Sequence, residues 1–432
     1  MRPLLAALVG LGLAGCERTF PTCEDDAALP AVAEAPTWHG DVRAVVEARC
    51  VRCHVDGGIG GFALDSYAAA AEWSGASANA VSAGRMPPWT AASCCQEYSN
   101  DFDVSPEEAA LLVAWADSGT PEGDPADYVP PEVPSTALPR VDLSLTMEEA
   151  FLPSLPADET DASQCFLLDW PEEETRFVTG LGVRPGNASV VHHAIVLIAG
   201  PEVVAGFEAL DAADPAVGWS CPGGVVFGAT GWIGGWSPGW DGQVFPGDLG
   251  QEVPAGSKLI LSVHYSVVEA DPEPDRTTID LMLAEEVSGG LESISVYDPA
   301  WLSGGLVIPK DDPDVVHSYV MTPPPRLDGD RELMAVNLHM HERGSRGQVA
   351  IRHADGSTTC LLQIDDWDYD WQADHLFTTP VTLAGDDELL VECHFDNTAA
   401  NQRIVGGERE TPRDLNWAED EEMCVAYVTA KL

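Results

Sequence analysis

At 432 residues, 45% of them hydrophobic, the chain is long enough to bury several cores, and length alone predicts two to four domains. Its 71 acidic residues against 21 basic ones leave a formal charge of −50, which excludes charge-driven binding to nucleic-acid phosphates or to an anionic bilayer surface. The acidic excess is read as a heavily solvated surface.

Met1-Arg2-Pro3 followed by the apolar run Leu4 to Ala14 reads as a secretory signal, too short to span a membrane. Leu13-Ala14-Gly15-Cys16 resembles the lipobox of bacterial lipoproteins. Residues 1–15 would then be the signal peptide and Cys16 the lipid-bearing first residue of the mature chain; the alternative is an ordinary cleaved signal with Cys16 incidental. No later stretch has some 18 consecutive apolar residues, so the expected location is a bacterial periplasm or cell surface, with membrane contact through the lipid alone. Export to an oxidising compartment permits disulfides. Residues 16–37, rich in Pro, Ala and acids, suit a tether.

A small helical unit is expected over 38–120. Val42, Val45, Val46 and Ala48 fall at helical spacing and lead into Cys50-Val51-Arg52-Cys53-His54. Cys-x-x-Cys-His is the c-type haem attachment motif: both thiols bond the haem vinyl groups, and the adjoining histidine is placed to ligate iron. The competing use is a redox or zinc Cys-x-x-Cys. The layout resembles a small class I cytochrome c, with a Gly-rich loop at 57–61, an Ala-rich helix, and then Arg85-Met86-Pro87-Pro88-Trp89, which makes Met86 the candidate second axial ligand. Met86 follows His54 by only 32 residues, short for the type. A last helix starts at the capping box Ser105-Pro106-Glu107-Glu108, and its Trp115 is read as core. Six prolines between 121 and 140 mark a semi-rigid linker and a domain boundary.

Beyond the linker the pattern changes to short alternating runs: 174–183, 190–199, 258–267, 277–284, 331–341, 347–353, 388–397 and 423–431. Many short strands divided by Gly and Pro predict β-sandwiches. About 290 residues suit two of them, 141–288 and 289–432, with the join near Glu286-Val287-Ser288-Gly289-Gly290.

Within this region lie Val191-His192-His193, His264 near the end of a strand-like run, Asn337-Leu338-His339-Met340-His341, and Met423 in Glu421-Glu422-Met423-Cys424-Val425-Ala426-Tyr427. On a strand His339 and His341 share a face and can grip one metal ion. Adjacent His192 and His193 on a regular strand would point to opposite faces, so the backbone there must bulge or end. His39, His317, His353, His375 and His394 have no partner at ligand spacing in the sequence and are read as surface or structural.

Together these residues resemble the copper type II ascorbate-dependent monooxygenases, the family of peptidylglycine α-hydroxylating monooxygenase and dopamine β-monooxygenase. The likeness runs from about residue 141 to the C-terminus. It implies two jelly-roll-like sandwiches facing a shared cleft and two copper ions, one held by His192, His193 and His264 for electron transfer, the other by His339, His341 and Met423 where oxygen reacts. It also implies disulfides Cys165–Cys221 and Cys393–Cys424, leaving Cys23, Cys94, Cys95 and Cys360 unassigned, because sequence does not fix connectivity. The implied reaction inserts one oxygen atom of O2 into a C–H bond, with ascorbate as the usual reductant and the haem, fed by a periplasmic carrier, as another route. Of three positions that hold a peptide carboxylate in peptidylglycine hydroxylation, this sequence has Asn337, Val425 and Tyr427; only the Tyr is kept, which disfavours a peptide C-terminus and points to a neutral or apolar substrate. The alternative reading is a non-catalytic haem and copper electron-transfer or copper-binding lipoprotein.

Overall fold

A computed structural model describes residues 29–88, 91–101, 103–131, 137–153, 161–221, 228–239, 242–267, 273–369, 371–405, 408–418 and 421–432. The signal peptide, Cys16, Cys23 and most of the tether lie outside the described residues.

The first folded part is helical: α1 (Arg43–Arg49), which prolongs the π-helical turn Trp38–Val42, then α2 (Tyr67–Ser82) and α3 (Pro106–Asp117). Each start has a chemical cause. Thr37 and Ser66 accept from backbone N–H groups of the first turn, and Ser105 with Glu108 completes a reciprocal capping box; one such cap contributes about 1 kcal/mol. Trp38, Val42, Val46, Leu64, Leu112 and Trp115 form a core of their own. Trp115 is buried and donates its indole N–H to the Pro121 carbonyl at 3.1 Å, the packing role expected of it.

The rest is β-structure. The first unit has β1 (Leu143–Thr146), β2 (Asp161–Asp169), β3 (Arg176–Arg184), β4 (Val191–Ala199), β5 (Trp219–Ser220), β6 (Gly231–Trp236), β7 (Gln243–Val244), β8 (Leu249–Val253), β9 (Lys258–Ser266) and β10 (Thr278–Ala284), with one helix, α4 (Val204–Ala213). The second has β11 (Gly289–Val296), β12 (Val315–Met321), β13 (Arg331–His339), β14 (Gly344–Arg352), β15 (Thr358–Ile364), β16 (His375–Leu383), β17 (Glu388–Phe395), the hairpin β18 (Ile404–Val405) and β19 (Glu408–Arg409), and β20 (Val425–Lys431).

Two sandwiches result, and they share a sheet. A five-stranded sheet, β5-β2-β9-β4-β6, covers one half of a nine-stranded sheet ordered β1-β10-β3-β8-β11-β20-β13-β16, to which β7 adds beside β3; the four-stranded sheet β12-β17-β14-β15 covers the other half. Alternation builds each core. Leu259, Leu261, Val263 and Tyr265 of β9 face Val178, Leu181, Ile279 and Leu281, while Val336 and Leu338 of β13 face Val349, Val391 and Phe395. The expected join at 286–292 is where β11 begins, and β11 pairs in parallel with β8, at Gly289 with Leu249. The boundary is thus a hydrogen-bonded seam. Pattern reading cannot see such a seam, because it registers which face is apolar and not which edge pairs.

Residues 91–100 leave the helical part to lie on the second sandwich. Ala92 N–H donates to Gln363 O, Ser99 N–H to Leu376 O and Tyr98 Oη–H to Leu361 O, at 2.8 Å each. Cys95 is disulfide-bonded to Cys360, 265 residues away. Cys94 is also disulfide-bonded; its partner lies outside the described residues. The helical part is therefore held to the second sandwich by a covalent staple, while the Pro-rich segment leads into β1 of the first. The Cys165–Cys221 and Cys393–Cys424 disulfides are both present.

Candidate metal centres

His192, His193 and His264 meet on the outer face of the five-stranded sheet. In the β4–β9 ladder His193 sits directly opposite His264, and the register slips by one residue between Val191 and His193. That bulge is what lets two consecutive histidines turn to one place. The three side chains offer nitrogens that all lie within 4.8 Å of one another. His193 Nδ1 lies 3.3 Å from His192 Nδ1 and 3.2 Å from His264 Nδ1. Three nitrogens bound tetrahedrally at roughly 2.0–2.1 Å from one ion would stand about 3.3–3.4 Å apart, so the cluster has the spacing of a ligand set before any ion enters. Burial, then the neighbouring His264 and His192, hold His193 well below the usual imidazole range, which keeps it neutral and able to donate its lone pair. Behind the cluster the Cys165–Cys221 disulfide packs on the same sheet, Cys221 Sγ lying 3.6 Å from Ser262 Oγ, two residues before His264.

His339 ends β13, and His341 follows it; both are buried. Their rings are 5.0 Å apart between centroids. His339 Nδ1 lies 2.6 Å from Gln372 Oε1, and His341 Nδ1 lies 3.3 Å from the Glu421 carbonyl. Both partners only accept, which puts the ring proton on Nδ1 and the lone pair on Nε2. Neither Nε2 has a hydrogen-bond partner, although both are buried. Two orphaned, buried lone pairs are costly unless something electropositive meets them. Burial pushes His339 down to about 4 and, with help from His339, His341 down to about 3.

Met423 stands just outside the β13–β20 ladder. His339 pairs with Val425 at the end of that ladder, so His341 lies two residues past it on one strand and Met423 two residues before it on the other. The turn is fixed by Glu422, whose buried carboxylate accepts from His341 N–H at 3.0 Å and from Arg343 N–H. Burial raises Glu422 to about 8 against those donors. Cys424 ties the segment to Cys393 of β17, and Met423 itself is fully buried.

The two groups face each other across the gap between the sandwiches. Tyr369, in the loop joining β15 to β16, has its ring 5.9 Å from His264 and 5.9 Å from His341. Asp374 of that loop accepts from Gly235 N–H at 3.0 Å and Trp232 Nε1–H at 3.3 Å on β6, and from Asn337 Nδ2–H at 3.2 Å on β13. Tyr427, opposite Asn337 in the ladder, stacks on Trp232 at 4.9 Å. Sequence reading missed Tyr369, Gln372 and Asp374, which sit in a polar, aromatic run outside any strand pattern. Its spare histidines take structural places: His375 is buried against the Tyr98 ring, and His353 and His394 pair with Asp387 and Asp314.

The Cys50–His54 segment follows α1. The two thiols are not joined to each other, and burial pushes Cys50 up to about 12 and Cys53 to about 11. His54 Nδ1 lies 3.2 Å from the Phe62 carbonyl, which leaves the lone pair on Nε2. A Cβ on Gly60 would come within 2.5 Å of the His54 ring, so only glycine lets the loop pass there. The segment abuts the first sandwich: Arg52 Nη1 donates to the Gly239 carbonyl at 3.1 Å, and Cys53 Sγ lies 3.8 Å from the Pro238 carbonyl. Pro238 and Gly239 follow β6, whose Trp236 is opposite Ala194, next to His193. The Met86 side chain is 41% exposed.

Among the described residues no helix is long and apolar enough to cross a membrane. Residues 326–429 match the family model described as copper type II ascorbate-dependent monooxygenase, C-terminal domain. That quarter of the chain contains His339, His341, Gln372 and Met423. No curated protein sequence matches the chain. Among solved structures it is similar to a peptide-N(4)-(N-acetyl-β-D-glucosaminyl) asparagine amidase, at 9% identity over 67% of this chain and 96% of that one with a TM-score of 0.28. It is also similar to PNGase F, a glycosylasparaginase from Flavobacterium meningosepticum, at 10% identity over 67% and 96% with a TM-score of 0.27. At such scores nothing is carried over from those enzymes.

Proposed function

We propose that this chain, whose C-terminal segment is similar to that of the copper type II ascorbate-dependent monooxygenases, is itself a copper monooxygenase with a fused c-type haem. The observation that carries the reading is that the two histidine groups flank one tyrosine, whose ring lies 5.9 Å from His264 and 5.9 Å from His341, with the second group inside the matched segment. Two bound copper ions would supply the one-electron steps by which O2 gives one oxygen atom to a C–H bond and the other to water.

The chain's residues take the following parts. His192, His193 and His264 hold one copper through nitrogens that already converge. His339 and His341 offer Nε2, and Met423 a thioether that favours the reduced ion. Cys50 and Cys53 bond the haem and His54 ligates its iron, a use that suits two unpaired, uncharged thiols and a histidine with a free Nε2. Met86 would offer its thioether to the same iron. Electrons enter from ascorbate or from a periplasmic carrier through the haem. The protein is exported and anchored through lipid on Cys16.

For the substrate, the wall formed by Asn337, Tyr427, Trp232 and Asp374 has no cation. Asn337 is engaged by Asp374, and the Tyr427 ring stacks on Trp232; with no cation among these residues to hold a carboxylate, a neutral or apolar molecule is the proposed class. The test is metal and haem analysis of the purified full chain, with oxygen uptake on a panel of neutral substrates. Two coppers and one haem per chain with substrate-dependent uptake are expected; a single inert copper would overturn the enzyme reading.

A further inference from the structure

We propose that the loop between β15 and β16 couples the two histidine groups, with Tyr369 as the side chain that bridges them and Gln372 as the residue that orients His339. The proposal rests on the copper reading above and goes beyond it, since it names what lies between the two sites.

Ring centroids at 5.9 Å from His264 and 5.9 Å from His341, inclined by 53° and 74°, are within the contact range of aromatic pairs. One phenol therefore touches one imidazole of each group, and the space between His264 and His341 is filled by a side chain. The loop that carries it is held at both ends and on both sandwiches. Trp367 donates its backbone N–H to Ser345 O at 2.9 Å and its indole N–H to His341 O at 3.0 Å. Gln372 spans the two functions: its Nε2–H donates to the Tyr369 carbonyl at 2.9 Å while its Oε1 faces His339 Nδ1 at 2.6 Å. Asp374 fastens the loop's end to β6 of the first sandwich and to Asn337 of the second. Tyr369 cannot swing out of the gap without breaking a contact to a histidine group or to one of these anchors.

The consequence is electronic. Imidazole, phenol and imidazole in successive contact give an electron a path through bonded and touching atoms where water would otherwise stand. One electron leaves the first site and arrives at the second; the phenol keeps its proton and is unchanged overall. A purely space-filling tyrosine would affect stability and copper content and leave this exchange alone.

The full chain is loaded with copper, reduced without oxygen by one electron equivalent, and frozen at intervals, and the redistribution of Cu(II) signals between the two sites is followed by electron paramagnetic resonance. Tyr369→Phe, which keeps the ring, should match wild type. Tyr369→Leu should slow redistribution at least tenfold with two coppers still bound and an unchanged Tm; if it does not fold, Tyr369→Met is read in the same way. Unchanged redistribution in the Leu or Met variant with both coppers bound would overturn the bridge and leave the copper reading intact. Fewer than two coppers in wild type would instead overturn the copper reading, and the bridge with it.

Discussion

The two histidine groups are built by opposite constructions. The first is assembled within one sheet from neighbouring strands, β4 and β9, and a single slip in register brings three nitrogens together. The second is assembled where a ladder ends, from β13 and from a turn more than 80 residues further on, and each imidazole needs a separate protein acceptor to fix its tautomer. A site made by sheet register inherits the rigidity of the sheet. One made at a ladder's end depends on whatever clamps the turn, here Glu422 and the Cys393–Cys424 disulfide. The second group should therefore be the more easily lost.

The largest expected effect breaks the comparison outright. Met423→Ala removes the thioether proposed for the second group and should lower substrate turnover by roughly 100-fold or more, the scale on which lost metal-site support is felt. Copper analysis should find one ion retained, at the histidines of β4 and β9. Loss of both coppers would mean that the groups are not independent, and loss of neither would remove Met423 from the ligand set.

Next come the two staples. Cys393 and Cys424 are 31 residues apart, Cys165 and Cys221 are 56 apart, and loop-closure entropy assigns each bridge about 4 kcal/mol. Equal costs should have unequal consequences. Replacing Cys393 and Cys424 by Ser frees the segment that carries Met423, so copper leaves the second group first. Replacing Cys165 and Cys221 loosens β2 and β5 while the β4–β9 ladder keeps its register. Copper retention during chelator titration of the two variants compares them directly.

Much of both groups was legible because each ligand is a residue type with few other uses at that spacing, and because neighbouring His192 and His193 can cooperate only if the backbone bulges. The clamps were less so. Gln372 and Tyr369 act through the path of a loop, and no periodicity encodes where a loop goes. Tyr98 and Cys95 read as part of the helical unit, since composition does not reveal that the Tyr98 hydroxyl bonds the Leu361 carbonyl and Cys95 the Cys360 sulfur, in strand β15. The seam between β8 and β11 was hidden for a related reason: Gly289 and Gly290 look like a hinge, yet the small size of Gly289 is what lets the strand lie against Leu249 and Lys431.

The smallest effect concerns acid, and it also falls on the second group. His339 titrates near 4 in the folded protein because burial penalises its charge, against about 6.5 in an unfolded chain. Between those values the unfolded chain takes up a proton that the folded one refuses. The stability is thus fully present above about pH 6.5 and is lost as pH falls towards 4, at about 1.4 kcal/mol per pH unit for this residue. His339→Gln keeps a polar side chain and removes the titration, so denaturant unfolding of the copper-free variant between pH 6 and 5 should have a slope flatter by about that amount. An unaltered slope would mean that the imidazole is already charged in the folded state, and a charged imidazole has no lone pair for a metal.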